Sequence, residues 1–232
     1  MASLYEEKQS AHLGSFFKTS KGQYGEGDRF IGIKVPVTRS IVKKYRNEIT
    51  LKDVVKLINS EWHEIRLAGF LFLIELYKNS IKEQNFEEAK SIVNFYLDNI
   101  IHGNNWDLVD LISPNLLGDW IVRNPGQEKI LIDMADRHGY LWHQRVAIVS
   151  TLSLIKTGKY EVTFLLAEKF LTHSHDLIHK ATGWMLREIG KRDGKEELVK
   201  FLEKYKSIMP RTMLRYAIEK FPDEERRYFM NK

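Results

Sequence analysis

The stretch Asn104-Asn105-Trp106-Asp107-Leu108-Val109-Asp110 sets an indole and a carboxylate four residues apart. In a helix that spacing puts Trp106 and Asp110 on one face, because side chains at i and i+4 are neighbours. An aromatic face beside a carboxylate suits a cationic ligand, or a transition state that develops positive charge. Asn104 or Asn105 is a good N-cap for such a helix. Ser113-Pro114 reads as a second N-cap followed by proline at N1, starting a new helix. The Trp106–Asp110 helix is therefore expected to be short, with both residues close to its positive dipole end.

The elements that must hold this pair are helices. Residues 64–77 form an apolar run too long and continuous for a strand and read as a buried helix. Residues 86–100 and 160–172 place apolar side chains at i, i+3, i+4 and i+7. Asp193-Gly194 marks a helix stop and a new start, and only Phe30 to Pro36 looks extended. The fold class is all-α.

A weak repeat runs through these helices. Glu64-Ile65-Arg66-Leu67-Ala68-Gly69-Phe70 resembles His143-Gln144-Arg145-Val146-Ala147-Ile148-Val149 and Ile178-His179-Lys180-Ala181-Thr182-Gly183-Trp184. Anchors at 66, 110, 145, 180 and 212 follow one another at steps of 44, 35, 35 and 32 residues. Two helices per period of this size indicate an α-solenoid of HEAT-like repeats. Trp62, Trp106, Trp142 and His179 precede anchors. Equivalent positions in such a stack line one concave surface. Arg66, Asp110, Arg145 and Lys180 are then expected as a basic row interrupted by one acid.

Composition bounds the alternatives. The 232 residues are 43% hydrophobic and 29% charged, an ordinary globular balance, and are read as one domain over 1–232. No apolar run reaches the length needed to cross a bilayer. The N-terminus Met1 to Lys8 carries acids and lacks the apolar core of a secretory signal. With no cysteine there is no disulfide, thiolate zinc site or cysteine nucleophile. The expected location is the cytoplasm, in association with the nucleoid. The net charge of +5 is unevenly spread: residues 83–136 carry −7, and the remainder +12. That pattern fits a basic groove around a less basic centre, or an uninvolved acidic back face.

At this point the chain resembles the AlkD-like family of DNA alkylation repair glycosylases. The matching pieces are Trp106 to Asp110, Leu117-Gly118-Asp119, Leu141 to Ala147, Gly183 to Glu188, and the loop Gly22 to Ile33. Together they span residues 22 to 188. The resemblance implies excision of N3- and N7-alkylated purines from double-stranded DNA by HEAT-like repeats whose concave face grips the duplex. Members similar to this chain act without flipping the damaged base into a pocket, unlike most glycosylases. Carried over, Asp110 is the catalytic carboxylate and Arg145 its companion. Trp106 and Trp184 are the aromatic walls, and Tyr24 is a further lesion-facing aromatic. Arg145 is expected beside a phosphate, with Arg66, Lys180, Arg187 and Arg215 as backbone contacts.

The chemistry explains the residue types. An N3- or N7-alkylated purine is cationic and leaves as a neutral base, so no general acid is needed. The sugar passes through an oxocarbenium-like state. A fixed carboxylate stabilises that charge and can orient or deprotonate water. No cofactor or metal is called for, no lysine stands out as a Schiff-base nucleophile, and the enzyme is expected to work as a monomer leaving an abasic site. His173-Ser174-His175-Asp176 lacks the further ligands of a metal site and reads as a polar interhelix loop. The run Gly22 to Gly27 lacks the Lys-Ser/Thr ending of a P-loop and reads as a loop between helices. Trp62, Trp120 and Trp142 are read as packing residues.

The structural alternatives are an Asp110–Arg145 salt bridge between repeats and tryptophans buried in the core. The functional alternatives are a non-catalytic binder of distorted or branched DNA and a protein-interaction scaffold.

Overall fold

A computed structural model of the chain describes residues 7–231. The N-terminal stretch discussed above lies, over residues 1–6, outside the described residues. Helix is the only regular structure among the described residues, apart from an isolated bridge between Arg29 and Trp62. The fold is an all-α helical repeat, as the periodicity predicts. Two compact units divide the chain, Met1–Leu108 and Val109–Lys232.

The first unit contains α1 (Glu7–Phe16), α2 (Val35–Tyr45), α3 (Leu51–Ile58), α4 (His63–Lys82) and α5 (Phe86–Asp98). It ends in the first turn of α6 (Trp106–Ser113). The 64–77 run lies inside α4, which is buried along most of its length and packs against α2, α3 and α5. Thr50 and Asp53 start α3 with a reciprocal capping box, and Asn85 caps α5 by accepting from the Glu88 N–H at 3.2 Å. The segment Gly22 to Gly27 is a loop between α1 and α2, as expected.

The second unit continues α6 and adds α7 (Asp119–Arg123), α8 (Lys129–Ala135), α9 (Leu141–Lys156), α10 (Glu161–Lys169), α11 (Asp176–Gly190), α12 (Lys195–Tyr205), α13 (Arg211–Ala217) and α14 (Asp223–Met230). Each of α8, α10 and α12 pairs with a following helix or its neighbour, and α9, α11 and α13 pack in succession. The repeat anchors fall on α4, α6, α9, α11 and α13, each in the first or second turn. That shared placement is the structural content of the weak sequence repeat.

Two expectations need correction. Ser113 is no N-cap: its backbone is helical, and its hydroxyl donates to the Val109 carbonyl at 2.6 Å. The backbone stays helical through a π turn over Pro114–Gly118 into α7. The wider turn accommodates Pro114, which lacks an N–H, without ending the helical path. Trp120 is buried as expected, but Trp62 and Trp142 are only half-buried. Trp62 carries the Arg29 guanidinium over its ring at 4.5 Å, a cation–π contact at the surface.

Glycine permits the closest helix approach in the second unit. A Cβ on Gly183 would lie 2.4 Å from the Met213 carbonyl oxygen and 2.5 Å from the Tyr216 Cβ. Gly183→Ala is therefore expected to lower stability by about 1–3 kcal/mol through overpacking. Thermal melting checks this, and an unchanged melting temperature would show that α11 and α13 can separate freely.

Candidate functional site

In the first unit the loop before α2 is drawn onto α4 by a carboxylate. Glu64 accepts backbone N–H groups from Ile31, Gly32 and Ile33 at 2.9, 2.8 and 3.1 Å. This places Asp28 against the first turn of α4. Its Oδ1 accepts from Arg66 Nη2 at 2.5 Å, and its Oδ2 lies 2.7 Å from His63 Nδ1. His63 Nε2 lies 2.9 Å from the Oδ2 of Asp107 on α6. Both nitrogens of the imidazole, only 2% exposed, thus face carboxylates, which accept and cannot donate.

Charge follows from that geometry. Burial pulls the His63 pKa down, but hydrogen bonds and charge from Asp107 and Asp28 outweigh it and raise it to about 9. Burial pushes Asp28 up, yet His63 and then Arg66 hold it below the ordinary carboxylate range. Arg66 also donates to the Ser60 carbonyl and to Asn104 Oδ1, both at 3.0 Å. Asn104 is thereby engaged by Arg66, while Asn105 accepts from the Trp106 N–H at 2.9 Å. Arg66, expected on an exposed basic row, is instead buried within this cluster.

Aromatic rings pack beside the same residues. Phe30 stacks on His63 with centroids 4.4 Å apart, and Phe17 stacks on Phe30 at 5.1 Å. Trp106 stacks on Phe17 at 5.3 Å and meets Phe16 edge-on at 5.9 Å. Trp106 is half-buried, and so is Tyr24 on the loop between α1 and α2.

In the second unit Asp110 meets Arg145. Arg145 Nε donates to Asp110 Oδ1 at 2.9 Å and Nη2 to Oδ2 at 2.8 Å, a bidentate pair. Arg145 Nη1 also donates to the Leu177 carbonyl at 2.5 Å. The arginine is 5% exposed, whereas the Asp110 side chain keeps 18%. The salt bridge foreseen as the structural alternative is therefore present, with its carboxylate at the accessible end.

The neighbouring polar contacts extend this arrangement. Next to Arg145, Gln144 donates to the Ala135 carbonyl at 3.2 Å and accepts from His173 Nε2 at 2.9 Å. The loop His173 to Asp176 is thus an interhelix connection, in which His175 also accepts the Leu177 N–H at 3.1 Å. Along α11, Lys180, Trp184 and Arg187 are half-buried and fall at helical spacing on one face. Lys180 pairs with Asp176 at 2.7 Å, and Arg187 pairs with Glu219. Arg215 is exposed and borders a cleft of about 380 Å³ with Ile218, Asp223, Arg226, Arg227 and Met230.

Sequence reasoning missed the Asp28–His63–Asp107 arrangement and the Leu177 carbonyl. The one available signal was the tendency for tryptophan or histidine to precede an anchor, which drew the eye to Trp62 rather than to His63.

A solved structure described as a predicted DNA alkylation repair enzyme from Enterococcus faecalis shares this fold at 15% identity. The match covers 94% of this chain and 97% of that one, with a TM-score of 0.72. No curated protein matches the sequence. The family described as DNA alkylation repair enzyme matches residues 1–221, and the chain belongs to that family. No described helix is long and apolar enough to cross a membrane.

The buried cations make two losses measurable. Asp110→Ala would strand the Arg145 charge, an expected loss of about 3–5 kcal/mol measured by denaturant unfolding. Asp110→Ala combined with Arg145→Met should regain much of it, and equal losses in both proteins would refute the pairing argument. The His63 contribution is fully present below the ordinary pKa of 6.5 and is lost as pH rises through about 9. Melting temperature should fall over that interval, and the fall should be absent in His63→Gln.

Proposed function

We propose that this member of the DNA alkylation repair family is a monofunctional glycosylase. It hydrolyses the N-glycosidic bond of N3- and N7-alkylated purines in double-stranded DNA and leaves an abasic site. The observation that carries the reading is the Asp110 carboxylate, gripped on both oxygens by a buried arginine yet still accessible.

The Arg145 fork fixes the plane of the Asp110 carboxylate, and the Leu177 carbonyl fixes the fork. Each carboxylate oxygen can accept more than one hydrogen bond, so oxygens that accept from Arg145 can also accept from other groups. These oxygens face positive charge as it develops on the sugar and can hold the attacking water. Breaking the glycosidic bond moves its electron pair onto the purine nitrogen, which neutralises the cationic base. Water adds to C1′ and gives up a proton, to Asp110 or to solvent. Because the carboxylate is already oriented, little reorganisation accompanies the step.

Trp106, one turn before Asp110 on α6, and Trp184 supply aromatic walls, with Tyr24 as a further lesion-facing ring. An indole face beside the cationic base contributes about 0.5–2 kcal/mol. Lys180, Arg187 and Arg215 on a concave basic face contact backbone phosphates and position the duplex without reading its sequence. Arg66 is committed to Asp28, Asn104 and Ser60 and is left out of this set. No residue needs a cofactor, and the enzyme acts as a monomer on nucleoid DNA in the cytoplasm.

The test is release of 7-methylguanine or 3-methyladenine from methylated duplex at low salt. Wild type should release base, and Asp110→Asn should lose at least about a hundredfold in rate, the scale typical of a removed electrostatic stabiliser. No release by wild type would overturn the glycosylase reading, and full activity in Asp110→Asn would overturn the assignment of Asp110. Duplex affinity should fall steeply with salt, and Arg215→Ala should reduce the slope of log affinity against log salt by about one. Salt-independent or absent DNA binding would favour a protein scaffold.

A further inference from the structure

The buried cluster of the first unit is not used by the chemistry just described, yet it touches the residue that flanks it. His63 is sandwiched in two directions. Its ring nitrogens bridge Asp28 and Asp107 at 2.7 and 2.9 Å, and its face stacks on Phe30 at 4.4 Å. Asp107 directly precedes Leu108 and directly follows Trp106 in the first turn of α6. The other route runs from Phe30 to Phe17 and from Phe17 to the indole itself, at 5.1 and 5.3 Å.

We infer that His63 is a positioning residue for Trp106, holding the first turn of α6 through Asp107 and the indole plane through the Phe30–Phe17 stack. This rests on the proposed role of Trp106 as a wall of the glycosylase site, while the ring geometry stands independently of it.

Three observations make His63 the keystone of this arrangement. Asp107 Oδ1 is buried with no hydrogen-bond partner among the described residues, so His63 supplies the one side-chain donor to that carboxylate. Asp28 and Asp107 are held apart as two like charges by the cation between them, and Arg66 balances the pair from the Asp28 side. Phe17 is buried, and the loop packs closely on its backbone: a Cβ at Gly25 would lie 2.4 Å from the Phe17 carbonyl oxygen, and the Gly25 N–H donates to the Lys18 carbonyl at 3.1 Å. Loss of the imidazole therefore releases α6 at its first turn and the ring stack at its base together.

The groups facing the imidazole are Asp28 from the loop and Asp107 from α6, with Arg66 of α4 behind Asp28. A neutral imidazole has a single N–H and cannot donate to both carboxylates. Deprotonation must break one link, so the position of Trp106 should respond to alkaline pH.

The experiment compares wild type with His63→Gln and Asp107→Asn, each alongside its own Trp106→Phe counterpart, so that difference spectra isolate the indole. Near-ultraviolet circular dichroism and emission are read from pH 7 to 10, with far-ultraviolet circular dichroism as the control for folding. The wild-type Trp106 signal should change as pH passes about 9 while helix content holds. His63→Gln should show the altered signal already at pH 7. Its single-turnover release of 7-methylguanine at saturating DNA should drop about tenfold or more, as a displaced positioning contact does, with unchanged affinity for undamaged duplex. Asp107→Asn keeps an acceptor oxygen toward Nε2 and should lose less than His63→Gln. An identical Trp106 signal in folded wild type and His63→Gln would overturn the inference. If His63→Gln does not fold, the wild-type titration decides: a flat Trp106 signal through pH 10 overturns it. Failure of wild type to release base would refute the glycosylase reading, and the Trp106 spectra would still judge His63.

Discussion

Burying a guanidinium creates an obligation that much of the second unit meets. Removing such a charge from water costs several kcal/mol even after relaxation, unless a paired carboxylate and further acceptors meet its nitrogens in good geometry. Arg145 meets this with the two Asp110 oxygens and the Leu177 carbonyl. Those acceptors sit on α6 and α11, on either side of α9 in the chain, so one side chain ties together the opening turns of three helices. The rest of each long helix is free to be apolar. From Val146 to Val149, α9 is fully buried, and its half-exposed positions are confined to its N-terminal turn and to Leu152 and Ser153.

The first unit meets most of the same demand with different residues, though Arg66 Nε is buried without an acceptor among the described residues. There the buried cations are His63 and Arg66, and the carboxylates are Asp28 and Asp107. Glu64 adds a third acid that gathers three backbone N–H groups and so fixes the loop that delivers Asp28. Glu64 and Asp107 in the first unit and Asp110 in the second lie in the opening turns of helices, where orphan backbone donors and the positive dipole end favour carboxylates. The consequence for function is geometric. Accessible polar chemistry is concentrated at helix beginnings, backed by a dry and closely packed interior.

Much of this was legible in the residue pattern because it depends on local spacing. The long buried helix α4, the helical character of α5 and α10, and the placement of the repeat anchors all follow from short-range periodicity. The pairing of Asp110 with Arg145 was also visible as an alternative, since equivalent positions of adjacent repeats must approach one another. What stayed hidden depends on contacts across long loops. Asp28 and His63 are separated by α2 and α3, Asp28 is delivered by a loop that Glu64 holds, and nothing in the local pattern announces that carboxylate's partners. Arg66 looked like one more member of an exposed row because its anchor position matches Arg145. Both arginines prove equally buried, each spent on an acidic partner: Arg66 on Asp28 and Arg145 on Asp110. Ser113 misled for a related reason: a serine before proline favours a cap, but its hydroxyl had a nearer acceptor one helical turn back.

The two acids of α6 show how environment divides labour between chemically identical groups. Asp107 and Asp110 are equally exposed, each with 18% of its side chain accessible. Their partners differ. Asp107 is held by an imidazole, whose proton leaves as pH rises through about 9, and by one of its oxygens alone. Asp110 is held on both oxygens by a guanidinium, which does not deprotonate in proteins. A carboxylate that must face developing positive charge gains from the second kind of partner, because its orientation then persists across pH. A carboxylate whose task is to hold a helix turn can tolerate the first. The same distinction of partners drives acid–base assignments in carboxylate pairs generally. Here Arg145 fixes the orientation of the Asp110 carboxylate, and His63 holds the first turn of the same helix through Asp107.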